Sequence, residues 1–269
     1  MTATTEWISV GALGDAFAPD NHCLPPVKDM ERRTLRLHYE DGGDTSLSFD
    51  GGALEWRCGV EAALTAACAA TRLRAGILFI DFQDPRNPAR SVSLVLNANA
   101  GTFIEIAATL PTREEAMIPM MERARRGLEL TAVRSVVRRG TIDRAFSADA
   151  PLPQPTDELL GKRVEYIYSQ HERYEHVYLN SRFYTWRCIE GSEQGLADTD
   201  ACHYYKIDEQ LYLFVWLEKI VPTAGIIMVD LRALKTTGKI MGYEGMDFAG
   251  VRNFGVGAIA KVLSTIPAH

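Results

Sequence analysis

Residues 166–191, YIYSQHERYEHVYLNSRFYTWRCIEG, with their continuation LYLFVWLE at 211–218, decide the fold. Short runs rich in aromatic and β-branched residues, broken by polar turns, mark antiparallel strands. Side chains alternate between the two faces of a strand. Tyr166 and Tyr168 therefore share a face, and so do Tyr174, His176 and Tyr178. Phe183, Thr185 and Arg187 share one on the third run, and Tyr212, Phe214, Trp216 and Glu218 on the last. If these faces point into one small barrel, its interior carries phenols, a guanidinium and a carboxylate on an apolar wall.

That is the profile of a small-molecule site. Arg187 would favour an anionic group. Glu218, beside Trp216 and Leu217, would have its pKa raised by desolvation and suit proton donation. The competing reading is structural: tyrosines alternating on a half-exposed sheet, with Arg187 and Glu218 as an ion pair.

Five sets of residues also carry a resemblance. They are Tyr166-Ile167-Tyr168, Tyr174-Glu175, Tyr178, Trp186-Arg187-Cys188-Ile189 and Val215-Trp216-Leu217-Glu218. Together they resemble the bacterial phenolic acid decarboxylases over roughly residues 160 to 245, and nearly the whole chain resembles the MoaF-like family. The resemblance implies a mainly β chain: two tandem calycin or lipocalin-like antiparallel β-barrels with a few short helices. It further implies cofactor-free cleavage of a para-hydroxyaryl compound, most simply decarboxylation of a phenolic acid. Tyr166 and Tyr168 would hold the carboxylate, Arg187 would supply charge beside it, and Glu218 would donate the proton. Tyr174 would meet another part of the substrate, with His176, Tyr178 and Trp216 as further contacts. The sequence departs from the decarboxylases at Lys219-Ile220-Val221-Pro222 and in a longer, more polar loop after Arg187. The alternative is a non-catalytic, lipocalin-like binder of small aromatic molecules, and a third reading is an interaction platform.

The chain repeats itself. Trp56-Arg57-Cys58 recurs 130 residues later as Trp186-Arg187-Cys188. The same offset sets Asp50, Phe49 and Leu47 against Asn180, Leu179 and Val177, which points to duplication of one unit. It also sets Arg36, His38 and Asp44 against Tyr166, Tyr168 and Tyr174, and a shifted offset sets Gln83 against Glu218. The first copy is expected to lack the acid and to be non-catalytic or differently specific, with Arg36, His38 and Arg57 either a candidate anion site or solvated and salt-bridged.

A chain of 269 residues with 46% hydrophobic content can bury two ordinary cores. A net charge of −6 argues against nucleic acid as a partner. No apolar run is long enough for a membrane helix, and the start MTATTEWISV has no signal-peptide pattern. Five cysteines without C-x-x-C spacing fit a reducing cytoplasm. His171 and His176 are a weak metal signal, and no metal or cofactor is expected.

In chain order, residues 1–31 read as an irregular lead-in, a lid or the arm of a homodimer. Asp41-Gly42-Gly43-Asp44 and Asp50-Gly51-Gly52 read as hairpin turns. The alanine-rich 59–70 reads as a short helix or loop. Thr112 and Glu115 form a capping box ahead of Met117, Met120 and Met121, taken as core, with Pro119 kinking or starting a helix. Leu128 to Ile142 reads as strand, and Ile259, Val262, Leu263 and Ile266 as a C-terminal helix. The domains expected are a degenerate barrel at 1–146, a proline-rich linker at 147–159 and a barrel with the active site at 160–269.

Overall fold

A computed structural model of the chain describes residues 6–28 and 30–266. It is built of two closed antiparallel barrels and three short helices. The helices are α1 (Val10–Phe17), α2 (Arg113–Ala116) and α3 (Met120–Arg125). The first barrel runs in simple order through β1 (Thr34–Tyr39), β2 (Asp44–Asp50), β3 (Ala53–Cys58), β4 (Leu64–Arg74), β5 (Ile77–Gln83), β6 (Arg90–Asn97), β7 (Thr102–Thr109) and β8 (Arg134–Ile142). It closes where β1 pairs with β8. Strand alternation puts Leu35, Leu37, Tyr39, Leu47, Phe49, Leu54 and Trp56 into an apolar core. The hairpin turns at Gly42-Gly43 and Gly51-Gly52 have positive φ at all four glycines, as the sequence leads one to expect.

After the two-residue strand β9 (Gln154–Pro155), the second barrel uses β10 (Lys162–Ile167), β11 (Arg173–Tyr178), β12 (Phe183–Glu190), β13 (Ala197–Asp208) and β14 (Leu211–Glu218). It continues with β15 (Thr223–Asp230), β16 (Lys235–Tyr243), β17 (Val251–Val256) and β18 (Ile259–Thr265). The ring order is β12-β11-β10-β18-β16-β15-β14-β13, and β13 closes it by pairing back on β12. β17 lies along β16 outside this ring.

The chain groups into two compact units. The second barrel's unit takes in the described part of residues 1–23, residues 109–134 and the described part of 155–269. The first barrel's unit holds the described part of 24–108 together with 135–154.

Several expectations are corrected. The lead-in contains α1, capped by Ser9, whose hydroxyl accepts from the Ala12 N–H. Gly11 and Gly14 let it lie close on the second barrel. A β-carbon at Gly11 would fall 2.3 Å from the Glu244 carbonyl oxygen, and one at Gly14 would fall 3.1 Å from the Phe254 ring. The alanine-rich segment forms β4 instead of a helix. Ala66 and Ala70 face in while Ala67 and Ala69 face out, an alternation invisible when both faces carry alanine. The C-terminal residues form β18, which pairs with β10 and leaves Ile259, Val262, Leu263 and Ile266 on the outside. A barrel needs that strand, because otherwise β10 would present an open edge.

Strand structure in 128–142 begins at Arg134. The capping box at Thr112 and Glu115 is present, and Pro119 splits the helix in two. Met117, Met120 and Met121 are exposed, not core. The segment is held by Arg123, whose guanidinium donates to the carbonyls of Glu115, Glu129 and Thr131.

In the second barrel, Gly225 on β15 lies opposite Trp216 on β14. A β-carbon there would sit 2.0 Å from the indole ring. Gly225→Ala should therefore cost about 1–3 kcal/mol through overpacking and alter the near-ultraviolet circular dichroism. Unchanged stability and spectrum in urea titrations would contradict the Trp216 placement.

Candidate functional site

The interior of the second barrel is a packed set of rings. Tyr166, Tyr178 and Tyr184 are fully buried, and His176 is 4% exposed. His176 sits at the hub, with ring centroids 4.8 Å from Tyr166, 5.1 Å from Tyr184, 5.8 Å from Phe214 and 6.0 Å from Trp216. Phe214 stacks on Trp216 at 5.1 Å and on Tyr204 at 5.5 Å. Pairs of this kind contribute about 0.5–1.5 kcal/mol each beyond area burial.

Next to this core is a narrow cavity of about 30 Å³, measured as the space open to the centre of a water molecule. That is room for a few waters at most. Tyr168, Tyr174, His176, Tyr184, Trp186 and Trp216 line it with two carboxyl groups, Glu193 and Glu218. Leu13 and Phe17 of α1 complete one wall. Phe17 packs on Tyr168 at 4.7 Å and on Tyr174 at 5.7 Å. The chain beyond α1 is tied down by the His22 N–H, which donates to the Tyr168 carbonyl at 3.0 Å.

Each carboxyl has an aromatic partner. Trp216 Nε1 donates to Glu218 Oε1 at 2.8 Å, and the Tyr174 hydroxyl donates to Glu193 Oε2 at 3.1 Å. Behind them Trp186 Nε1 donates to Asp200 Oδ2 at 3.0 Å, and Lys219 pairs with Asp198 and Asp200. Thr131 Oγ1 donates to the Glu218 carbonyl and fixes that end of β14.

Desolvation dominates the titration behaviour here. It raises Glu218 well above the usual carboxylate range, reinforced by Asp200 and Glu193 and opposed by the Trp216 N–H. It raises Glu193 to about 7, against the Tyr174 hydrogen bond. Asp200 is also raised by burial, partly offset by Lys219. Burial alone lowers His176 to about 3, so its imidazole is neutral. Burial thus favours the protonated form of Glu218. The hydroxyls of Tyr168 and Tyr184 and the ring of His176 make no hydrogen bond among the described residues, and His176 Nδ1 is buried without a partner. These groups are available to a ligand.

Five of the eight sequence-predicted residues line the cavity: Tyr168, Tyr174, His176, Trp216 and Glu218. Tyr166 and Tyr178 lie in the adjoining core with their hydroxyls bonded to each other. Arg187 is corrected. It does share a face with Thr185, but that face is the outer one, because Trp186 is the residue that points in. Its Nε donates to Glu175 Oε2 at 2.6 Å, its side chain is 59% exposed, and Arg163 takes the other carboxylate oxygen. It cannot anchor a carboxylate inside the barrel, nor does it pair with Glu218.

Sequence reasoning missed Tyr184, Trp186, Glu193 and the α1 wall. Phasing the third run on Trp186 would have found the first two. Glu193 lies in the turn after β12, where alternation gives no signal. The repeat is also rephased. Leu37 and Tyr39, not Arg36 and His38, hold the interior positions matching Tyr166 and Tyr168. Arg36, His38 and Arg57 are on the outer face of the first barrel, so they form no anion site within it. Phe82 on β5 points in as Trp216 does on β14, and Asp84 follows two residues later, just past the end of β5, as Glu218 follows Trp216. Burial would raise Asp84, but hydrogen bonds from Arg86 and Arg90 outweigh it and hold that carboxyl below the usual range. Asp84 is therefore no neutral acid; the carboxyl that burial does raise in the first barrel is Glu105, which accepts from the Tyr39 hydroxyl at 2.7 Å.

Among the described residues no group of His, Cys, Asp and Glu is arranged to hold a metal ion, and no helix is long and apolar enough to cross a membrane.

The N-terminal domain of the MoaF family matches residues 5–112, and its C-terminal domain matches 153–266. Protein MoaF of Klebsiella aerogenes is 42% identical over 98% of this chain and 98% of its own length. A crystal structure from Burkholderia vietnamiensis, described as a candidate beta-lactamase, superposes on 41% of this chain and 100% of its own at a TM-score of 0.35 and 12% identity. A likeness that distant carries no argument.

Two outcomes follow from the geometry. Arg187→Ala should lower the unfolding free energy by about 1 kcal/mol or less and leave the near-ultraviolet circular dichroism unchanged. Collapse of that signal would place the guanidinium inside. The second concerns pH. Glu193 has a folded pKa near 7 against an ordinary 4.5. Between these values the folded state binds more protons, so its contribution is full below the lower value and is lost as pH rises through about 7. Stability in urea should fall from pH 5.5 to pH 8, and Glu193→Gln should remove on the order of 1–3 kcal/mol of that fall. Parallel curves for both proteins would contradict the burial of this carboxyl.

Proposed function

The chain belongs to the MoaF family, and we propose that its second barrel binds a small aromatic molecule and cleaves a carbon–carbon bond in it without a cofactor. The observation that carries this reading is Glu218: a carboxyl at the wall of an aromatic cavity, oriented by the Trp216 N–H, in surroundings whose desolvation favours its protonated form.

The chemistry suits a para-hydroxyaryl compound. Glu218 gives its proton to a substrate carbon, and electrons from the phenol oxygen pass through the ring to form a quinone-methide-like state. The bond to the leaving fragment then breaks and its electron pair returns to the ring; in a decarboxylation that fragment is carbon dioxide. Water returns the proton to Glu218. A desolvated site strengthens each electrostatic contact with the developing charge. The free hydroxyls of Tyr168 and Tyr184 are positioned to orient the substrate, and no step requires Arg187.

A non-catalytic binding barrel is the second reading, favoured by His176 Nδ1, a buried and unpartnered atom on the cavity wall that a ligand would satisfy without any proton transfer. The two separate on turnover. Ultraviolet absorbance should report loss of a para-hydroxyaryl substrate in a panel that includes 4-hydroxycinnamate, ferulate, caffeate and amine-bearing phenols. Glu218→Gln should lower kcat by about 10²-fold or more while leaving affinity nearly unchanged. Binding without turnover by the wild type, across the panel, would leave the binding reading in place of the lyase.

A further inference from the structure

The cavity is unsuited to carboxylate ligands. Its lining holds two carboxyl groups and no lysine or arginine. The cations on β10–β12 are occupied elsewhere: Arg163 and Arg187 hold Glu175, and Arg173 holds Glu165 and Glu190, all by outward-facing side chains. Lys219 is engaged by Asp198 and Asp200. An anionic ligand would meet no cationic side chain in this lining.

A cation meets the opposite environment. Six aromatic side chains line the space: Phe17, Tyr168, Tyr174, Tyr184, Trp186 and Trp216. Ring faces attract ammonium groups, more strongly where water is excluded. Glu193 stands among them on the Tyr174 hydroxyl and can accept from a charged N–H. A separate feature points the same way. His176 lines the same cavity, is 4% exposed and makes no hydrogen bond, with Nδ1 buried and unpartnered. A neutral imidazole offers one acceptor nitrogen, which a ligand N–H would satisfy.

We infer that the ligand of this cavity carries a protonated amine on a small aromatic body, with the ammonium held by Glu193 and the surrounding rings. This inference rests on the reading of the barrel as a small-molecule site. It divides the two carboxyls between tasks: Glu193 recognises the cation and Glu218 remains the acid.

The test is isothermal titration calorimetry of the full chain with three matched probes: 4-hydroxybenzylamine, 4-hydroxybenzyl alcohol and 4-hydroxybenzoate. The amine should bind about tenfold or more tighter than the alcohol, and the benzoate weakest. Glu193→Gln should bring the amine's affinity down to that of the alcohol and leave the alcohol's unchanged. The wild-type ranking stands whatever the stability of that variant. Alcohol and amine binding equally, or benzoate binding tightest, would overturn the inference while leaving the small-molecule site intact. Binding of none of the three would overturn both.

Discussion

A carboxyl group enclosed by aromatic rings must be neutral or be paired, because an isolated carboxylate cannot be carried into such surroundings without a large desolvation cost. The second barrel depends on this constraint. Glu218, Glu193 and Asp200 converge on one end of it, and Lys219 serves the most buried of them, Asp200. The other two are met by an indole N–H and a phenol O–H. Those donors come from the rings that build the core, so packing and proton chemistry are set by the same side chains. The ring network holds Trp216 and Tyr174 in place, and they in turn hold the acids.

The first barrel shows the other solution to the same constraint. Just past the end of β5, two residues after the inward Phe82, it places Asp84, which two arginines keep ionised. Its interior is filled with leucine, isoleucine and phenylalanine, where the second barrel has tyrosine, histidine and tryptophan. Both barrels bury a carboxyl on a phenol O–H, Glu105 on Tyr39 in the first and Glu193 on Tyr174 in the second. They differ in the further carboxyl: Asp84 has two arginines as counter-ions, and Glu218 has an indole N–H.

The β character and the two-barrel repeat were legible, because period-2 alternation and glycine-rich hairpin turns leave marks in a single sequence. Most of the cavity wall was legible for the same reason: Tyr168, Tyr174, His176, Trp216 and Glu218 alternate in phase. Arg187 was misplaced because alternation says which residues share a face and not which face is inside. Trp186 and Arg187 are neighbours, so an error of one residue moves a guanidinium from solvent to core. The same slip put Arg36 and His38 against Tyr166 and Tyr168. β4 was obscured because alanine occupies both faces, and β18 because four apolar residues fit a helix as well as a bulged strand. α1 was hidden by its own glycines, which weaken a helix signal yet are what let it approach the barrel. Glu193 left no signal, since its position comes from a turn.

The central claim is that Glu218 is a neutral acid in the resting protein. Infrared difference spectroscopy between wild type and Glu218→Gln at pH 7 tests it directly. The account predicts that the wild type shows the carbonyl stretch of a protonated carboxylic acid, which the variant lacks, with no matching carboxylate bands. A difference spectrum containing carboxylate bands alone would contradict it, and would make Glu218 a charged wall residue with no proton to give.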